Sequence, residues 1–327
     1  MSEINRRGPV VALDVGGTKL RAALVDRQGR ILHRDEVSTL AQEGPEAVIG
    51  RMEALIRHLT EDREYGSIGI AMPGPLNPRE GIVYETPNLP GWHNVPLAAR
   101  IAKAFETPVR LDNDANLAAL GEHRFGAGRG AEEMVYITVS TGIGGGIITR
   151  GELLYGWRGS AAEVGHMVIE PSGPRCGCGN RGCLEALASG TAIAREAIER
   201  IQAGAVSAIL DLADGEVGSV TGKTVTEAAA QGDHLAQEIL EQASYYLGIG
   251  IATLLNLLNP QLIILGGGVA LSGRLPDEPM WRAIQEHALP SIRRGVEIKY
   301  AALGDDAGLL GASVIAFEEL ERSRTKV

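Results

Sequence analysis

Aromatic side chains, cysteines and runs of basic residues are all scarce in this chain of 327 residues. Aromatics make up 4% of it, cysteine occurs three times, and no stretch is rich in Lys and Arg. With 41 acidic against 31 basic residues and a net charge of −10, a nucleic-acid groove is not expected. Any disulfide among three cysteines would leave one thiol over, and none is expected in a reducing compartment. The opening MSEINRRGPVVALDVGG places two arginines before an apolar stretch. Asp14 and the Gly16-Gly17 pair interrupt that stretch and no small-residue cleavage site follows, so no signal peptide is expected. Residues 242–273 carry no charge and are long enough by count to span a bilayer. Asn256, Asn259, Pro260 and Gln261 stand at their middle, so they read as a buried helix ending at Asn259-Pro260 and a buried strand 262–265. The expected location is the cytoplasm, with no membrane and no nucleic acid as partner.

What is abundant is glycine, 43 residues, about twice ordinary usage. Hydrophobic residues make up 44% and mean hydropathy is +0.01, the profile of a globular chain long enough for two domains. The segment VVALDVGGTKLRAALVDRQGRIL reads as strand, glycine turn, strand, turn, strand. MVYITVSTGIGGGIITRGELL repeats that logic about 125 residues later, with Ser140 and Thr141 where the first copy has its carboxylate. Two such hairpins suggest a duplicated α/β unit with a cleft between the copies.

Asp14-Val15-Gly16-Gly17-Thr18 follows a buried-looking strand. Its backbone N–H groups and the Thr18 hydroxyl suit phosphate oxygens, with Mg²⁺ bridging Asp14 to them. The plain alternative is a hairpin turn that carries an acid. STGIGGG at 140–146 and LGGGV at 265–269 are further strand-then-glycine turns, and neither fits the dinucleotide pattern G-x-G-x-x-G. GSVTGKT at 218–224 imitates a phosphate loop but is one residue short between its glycines, and Thr224 reads there as a helix N-cap. LDNDAN at 111–116 ends a strand and opens a helix. Asn113 or Asp114 would cap that helix; alternatively Asp114 is a general base facing the cleft, and the two roles are compatible.

All three cysteines, Cys176, Cys178 and Cys183, fall within eight positions, ten residues after His166. Four such ligands in a reducing compartment fit tetrahedral Zn²⁺, and a site closed by four protein ligands is structural. Glu163 and Glu185 flank the loop, placed to accept from sugar hydroxyls, and His166 has a second ring nitrogen to offer. The alternative is a pair of solvated surface charges.

Taken together, DVGGTK at 14–19, PNLPGW at 87–92, NDAN at 113–116, STGIGGG at 140–146, EVGH at 163–166, CGCGNRGCLE at 176–185 and LGGGV at 265–269 resemble the ROK family of sugar kinases and related repressors, nearer its glucokinase-like members. The resemblance implies an actin-like ATPase fold, a duplicated RNase H-like α/β architecture of two domains with a cleft between them, commonly a homodimer or a dimer of dimers. It implies Mg·ATP-dependent phosphorylation of a hexose, glucose first, with N-acetylmannosamine, N-acetylglucosamine or fructose as alternatives. Asp114 corresponds to the catalytic base. Asn88, Asn113, Glu163, His166 and Glu185 correspond to the sugar-binding set, and His166 with Cys176, Cys178 and Cys183 to the zinc site. Asp14, Gly16, Gly17, Thr18 and, less firmly by the family pattern, Lys19 correspond to one phosphate loop. Thr141, Gly142, Gly144 and Gly145 correspond to the other, with Gly267 and Gly268 near the nucleotide. The expected domains are 1–113, joined by the C-terminal helix at about 308–323, and 114–307, which holds the zinc loop. A sugar-responsive transcription regulator is the competing class. Family repressors carry a helix-turn-helix ahead of the first phosphate strand, and nine residues precede Val10 here.

Overall fold

A computed structural model describes residues 8–86, 89–272 and 275–325. β1 (Val10–Val15) pairs antiparallel with β2 (Lys19–Val25), and β2 pairs antiparallel with β3 (Ile31–Ser38). On its other edge β1 runs parallel to β4 (Ile68–Met72), which runs parallel to β7 (Val109–Asn113). β5 (Leu76–Asn77) and β6 (Ile82–Val83) form a small hairpin apart from that sheet. The second sheet repeats the plan. β10 (Glu152–Leu153), β9 (Ile143–Thr149) and β8 (Met134–Val139) are antiparallel, and β8 then runs parallel to β11 (Leu262–Gly266), as does β12 (Glu297–Tyr300). The orders β3-β2-β1-β4-β7 and β10-β9-β8-β11-β12 match strand for strand. The duplication expected from the two glycine hairpins is therefore present as topology.

The layers follow from alternation along the strands. Val11, Leu13 and Val15 point into a core shared with α1 (Pro45–Thr60) and α2 (Leu97–Phe105). Ala12 and Ala71 point the other way, onto Leu117 and Leu120 of α3 (Asp114–Phe125) and Leu309 and Ala312 of α10 (Ala307–Thr325). α3 and α10 thus form a central layer, which meets the second sheet through Ala119, packed with Met134 and Tyr136. The far side of the second sheet is covered by α4 (Leu184–Ala188), α5 (Gly190–Gln202), α6 (Gly222–Ala230), α7 (His234–Leu258) and α9 (Asp277–His287), with the short α8 (Gly268–Leu271) after β11. α7 ends at Asn259 in the left-handed conformation, just before Pro260, and every residue of β11 is buried. Among the described residues no helix is long and apolar enough to cross a membrane.

Several glycines serve this central layer rather than turns. A Cβ on Gly311 of α10 would lie 1.8 Å from the carbonyl oxygen of Leu117, and one on Gly69 of β4 1.9 Å from that of Ala312. Helix therefore meets helix and sheet at backbone distance. The same reason corrects the sequence reading of STGIGGG. Gly144, Gly145 and Gly146 are not the turn but the start of β9, and a Cβ on Gly146 would meet that of Ala119 at 2.5 Å. The turn itself is residues 140–142, closed by a bond from Ser140 N–H to Gly142 O at 2.9 Å.

Candidate active site

β7 delivers the central residues. Its last residue, Asn113, is the N-cap of α3: its side-chain oxygen accepts from Ala115 N–H at 3.0 Å and from Asn116 N–H at 3.2 Å. Capping thus falls to Asn113, which leaves most of the Asp114 carboxyl free; one oxygen accepts from Ala115 N–H at 2.8 Å. Asp114 stands at the floor of a cleft whose walls come from both halves. Those walls include Gly74 and Leu76 from the first half and Gly144, Gly145 and Glu163 from the second, around a cavity of about 80 Å³. Lost hydration between the walls, and then the negative charge of Glu163, push the Asp114 pKa up to about 6. This is the range in which a carboxylate serves as a base near neutral pH.

Asp14 comes to the same cleft from the end of β1. Burial is the main reason its pKa is pushed up to about 6, and repulsion from Asp114 adds to it. Arg21 opposes the shift, with Nη1 3.7 Å from the carboxylate. After Asp14 the chain turns at Gly16, whose N–H donates to Lys19 O at 2.9 Å, while Gly17 and Thr18 are exposed at the tip. The Lys19 ammonium is tied to Glu36 at 2.8 Å on the face of the sheet. A carboxylate held charged against its surroundings and next to exposed backbone N–H groups is suited to a divalent cation. Asp14 therefore fits Mg²⁺ carried by a phosphate.

The other phosphate-loop residues separate into two places. Gly144 and Gly145 line the small cavity beside Asp114. Thr141 and Gly268 line a cavity of about 930 Å³ on the far side of the turn, together with Thr191, Lys223 and Thr226. Its size is that of a drug- or nucleotide-sized pocket. Gly267 holds φ +85°, and a Cβ there would lie 2.4 Å from Val139 O, so the turn out of β11 admits only glycine at this spacing. α5 and α6 form a wall of this cavity that no motif in the sequence marks. The segment GSVTGKT is no phosphate loop, yet Gly222 and Lys223 line the cavity. The N-cap of α6 is Thr221, not Thr224; Thr224 closes the capping box with it. The signal available in the sequence was that capping box, which opens a helix without a buried strand before it.

The ligand atoms of His166, Cys176, Cys178 and Cys183 all lie within 4.8 Å of one another. Cys178 Sγ and Cys183 Sγ are 3.7 Å apart, and Cys176 Sγ is 3.7 Å from His166 Nδ1. A tetrahedron with Zn–S of about 2.3 Å and Zn–N of about 2.0–2.1 Å has edges of about 3.8 Å between sulfurs and about 3.6 Å from sulfur to nitrogen. The residues fit Zn²⁺. Because Nδ1 faces the cluster, Nε2 of His166 is turned away from it. Gly182 is required here, since a Cβ at its φ of +66° would lie 1.5 Å from Glu170 O, whereas Gly177 faces open space.

Glu185 stands in the first turn of α4 and bridges two of these parts. One carboxylate oxygen accepts from Ile143 N–H at 3.0 Å, and Cys176 Sγ lies 3.7 Å from the other. A Cβ on Gly142 would meet that carboxylate at 2.5 Å, so the glycine is imposed by the glutamate. Of the sites expected from sequence, Asn88 lies outside the described residues.

The sequence profile described as "ROK family" matches residues 10–319. The chain belongs to the ROK family. A glucokinase of Thermotoga maritima is 40% identical over 311 residues, 95% of this chain and 98% of its own. An N-acetylmannosamine kinase of Escherichia coli O7:K1 is 35% identical over 310 residues, 94% of this chain and 98% of its own. The crystal structure of a ROK family glucokinase from Streptomyces griseus, in complex with glucose and AMPPNP, superposes with a TM-score of 0.83 at 37% identity, covering 95% of this chain and all of that one. The actin-like ATPase fold expected from the motifs is thus the fold of this ROK chain.

Proposed function

We propose that this ROK protein is an ATP-dependent glucokinase, which transfers the γ-phosphoryl group of ATP to the 6-hydroxyl of glucose. The observation that carries the reading is Asp114, a carboxylate of raised pKa on the floor of the cleft, facing Glu163 and flanked by Asp14. The similarity to glucokinases over almost the whole chain supports it. In this reading the sugar enters at the small cavity lined by Asn113 and Glu163 and is held as well by His166 Nε2 and Glu185, with Asn88 added by the family resemblance alone. The Asp114 carboxylate takes the proton of the attacking hydroxyl. The nucleotide lies in the large cavity past Thr141, Gly267 and Gly268, so that its phosphates run over the 140–142 turn and the hairpin of Gly16, Gly17 and Thr18. Mg²⁺ would be held by Asp14 through the phosphates and would neutralise charge as it develops on them. Zn²⁺ held by His166 and the three cysteines would keep the sugar-side loop folded. Residues 1–113 with 308–323, and residues 114–307, act as the two bodies that close over the sugar, in the cytoplasm and as a homodimer.

The test is ADP release with Mg·ATP and glucose, mannose, fructose, N-acetylglucosamine or N-acetylmannosamine. Highest kcat/KM with glucose is expected. Highest kcat/KM with an acetamido sugar would move the assignment toward the N-acetylmannosamine kinase relatives, and no turnover with any sugar would defeat the kinase reading.

A further inference from the structure

β7 also carries Asp112, one residue before the cap of α3, and Asp112 does not line the cleft beside Asp114. It is completely buried. Its Oδ1 accepts from Asn113 N–H at 2.7 Å and from Asn116 Nδ2 at 3.2 Å. One carboxylate oxygen therefore holds both the residue that caps α3 and a side chain of its first turn, on either side of Asp114. Its Oδ2 is equally buried and has no hydrogen-bond partner. Tyr155 follows β10 in the other half, and its hydroxyl sits close enough to bear on the charge of Asp112. That hydroxyl accepts from Arg110 Nη2 at 3.0 Å, and Arg110 Nη1 donates to Glu318 of α10 at 2.6 Å. A phenol that accepts from a guanidinium still has its own proton to donate. The acceptor Tyr155 lacks and the donor Asp112 Oδ2 lacks would be satisfied by one bond. Room for that adjustment exists: Tyr155 and Arg110 line two surface cavities, of about 410 and 530 Å³, that meet at this junction.

We propose that Asp112 and Tyr155 are a positioning pair joining the two halves. The Tyr155 hydroxyl bonds Asp112 Oδ2 as the halves close, and Asp112 then fixes Asn113, Asn116 and, through them, the orientation of the Asp114 carboxylate. The kinetic signature of the pair rests on the glucokinase reading; the bond itself does not. Neither residue lines the small cavity or the large one, so the effect should fall on kcat rather than on nucleotide binding.

The test is a double-mutant cycle in the full chain with Tyr155→Phe, Asp112→Asn and both, measuring steady-state kinetics and ligand-free melting. Tyr155→Phe keeps the ring and should lower kcat roughly tenfold while KM for Mg·ATP stays within about twofold. The double variant should be no slower than Asp112→Asn alone, because both substitutions remove one bond. Losses that multiply, or melting that falls while kcat holds, would overturn the pair. If Asp112→Asn does not fold, Tyr155→Phe decides by itself, and an unchanged kcat refutes the proposal. If the wild-type protein phosphorylates no sugar, the kinase reading fails separately. The same cycle is then read in the melting shift produced by a non-hydrolysable ATP analogue, where independent effects would overturn the pair and coupled ones uphold it.

Discussion

Replacing Cys178 by alanine separates a metal centre from three neighbouring thiols, because this cysteine is exposed while Cys176 and Cys183 are buried. An exposed side chain with no core contact loses almost nothing on truncation, so without metal the change should stay within about 0.5 kcal/mol. With Zn²⁺ the expectation is different. A four-ligand structural site contributes on the order of 10–16 kcal/mol of binding free energy that is coupled to folding, so one ligand of four accounts for about 3 kcal/mol. For a folding unit of this size that corresponds to a melting shift of about 6–12 °C. Wild-type protein should carry about one zinc per chain by elemental mass spectrometry, and a strong chelator should lower its melting temperature toward that of Cys178→Ala. Protein that is purified free of metal, melts unchanged with chelator, and loses less than about 1 °C on Cys178→Ala would refute the reasoning from the 3.7 Å spacings.

Three further substitutions test the geometry. Asp114→Asn should abolish nearly all turnover, and wild-type kcat/KM should fall about tenfold per pH unit below pH 6, where the carboxyl of raised pKa is protonated; full activity at pH 5 would exclude Asp114 as base. The linkage sign is opposite for stability. A carboxyl that holds its proton up to about pH 6 in the folded protein, but only to about 4 unfolded, destabilises the fold once pH rises past both values, so ligand-free Asp114→Asn should melt higher than wild type at pH 7. Ala194 lines the large cavity, and Ala194→Trp should raise KM for ATP tenfold or more with kcat for glucose nearly intact; an unchanged KM would place the nucleotide elsewhere. In Gly311→Ala the new methyl would have to displace the backbone of α3 at Leu117, which should cost about 1–3 kcal/mol in thermal unfolding; a neutral result would show that α3 and α10 separate readily.

Local chemistry alone determined a good part of this protein. The strand-glycine-strand pattern, the Asn259-Pro260 stop, the four-ligand spacing around Cys176–Cys183 and the cap before Asp114 each depend on residues close in the chain. Their conformations and ligand reach are set by neighbours, so they were readable. Only the tertiary structure decided what Gly145 and Gly146 are for, because a Cβ on Gly146 would run into α3, about thirty residues away in sequence, and one on Gly145 into Val164 and the backbone of Tyr136. It likewise decided that the wall of the large cavity comes from α5 and α6, and that the cap of α6 is Thr221. The meeting of Asp14, Asp114 and Glu163, and of Asp112 with Tyr155, is also invisible in the chain. Electrostatic coupling depends on distance through space, and that distance is set by packing two sheets against one pair of central helices.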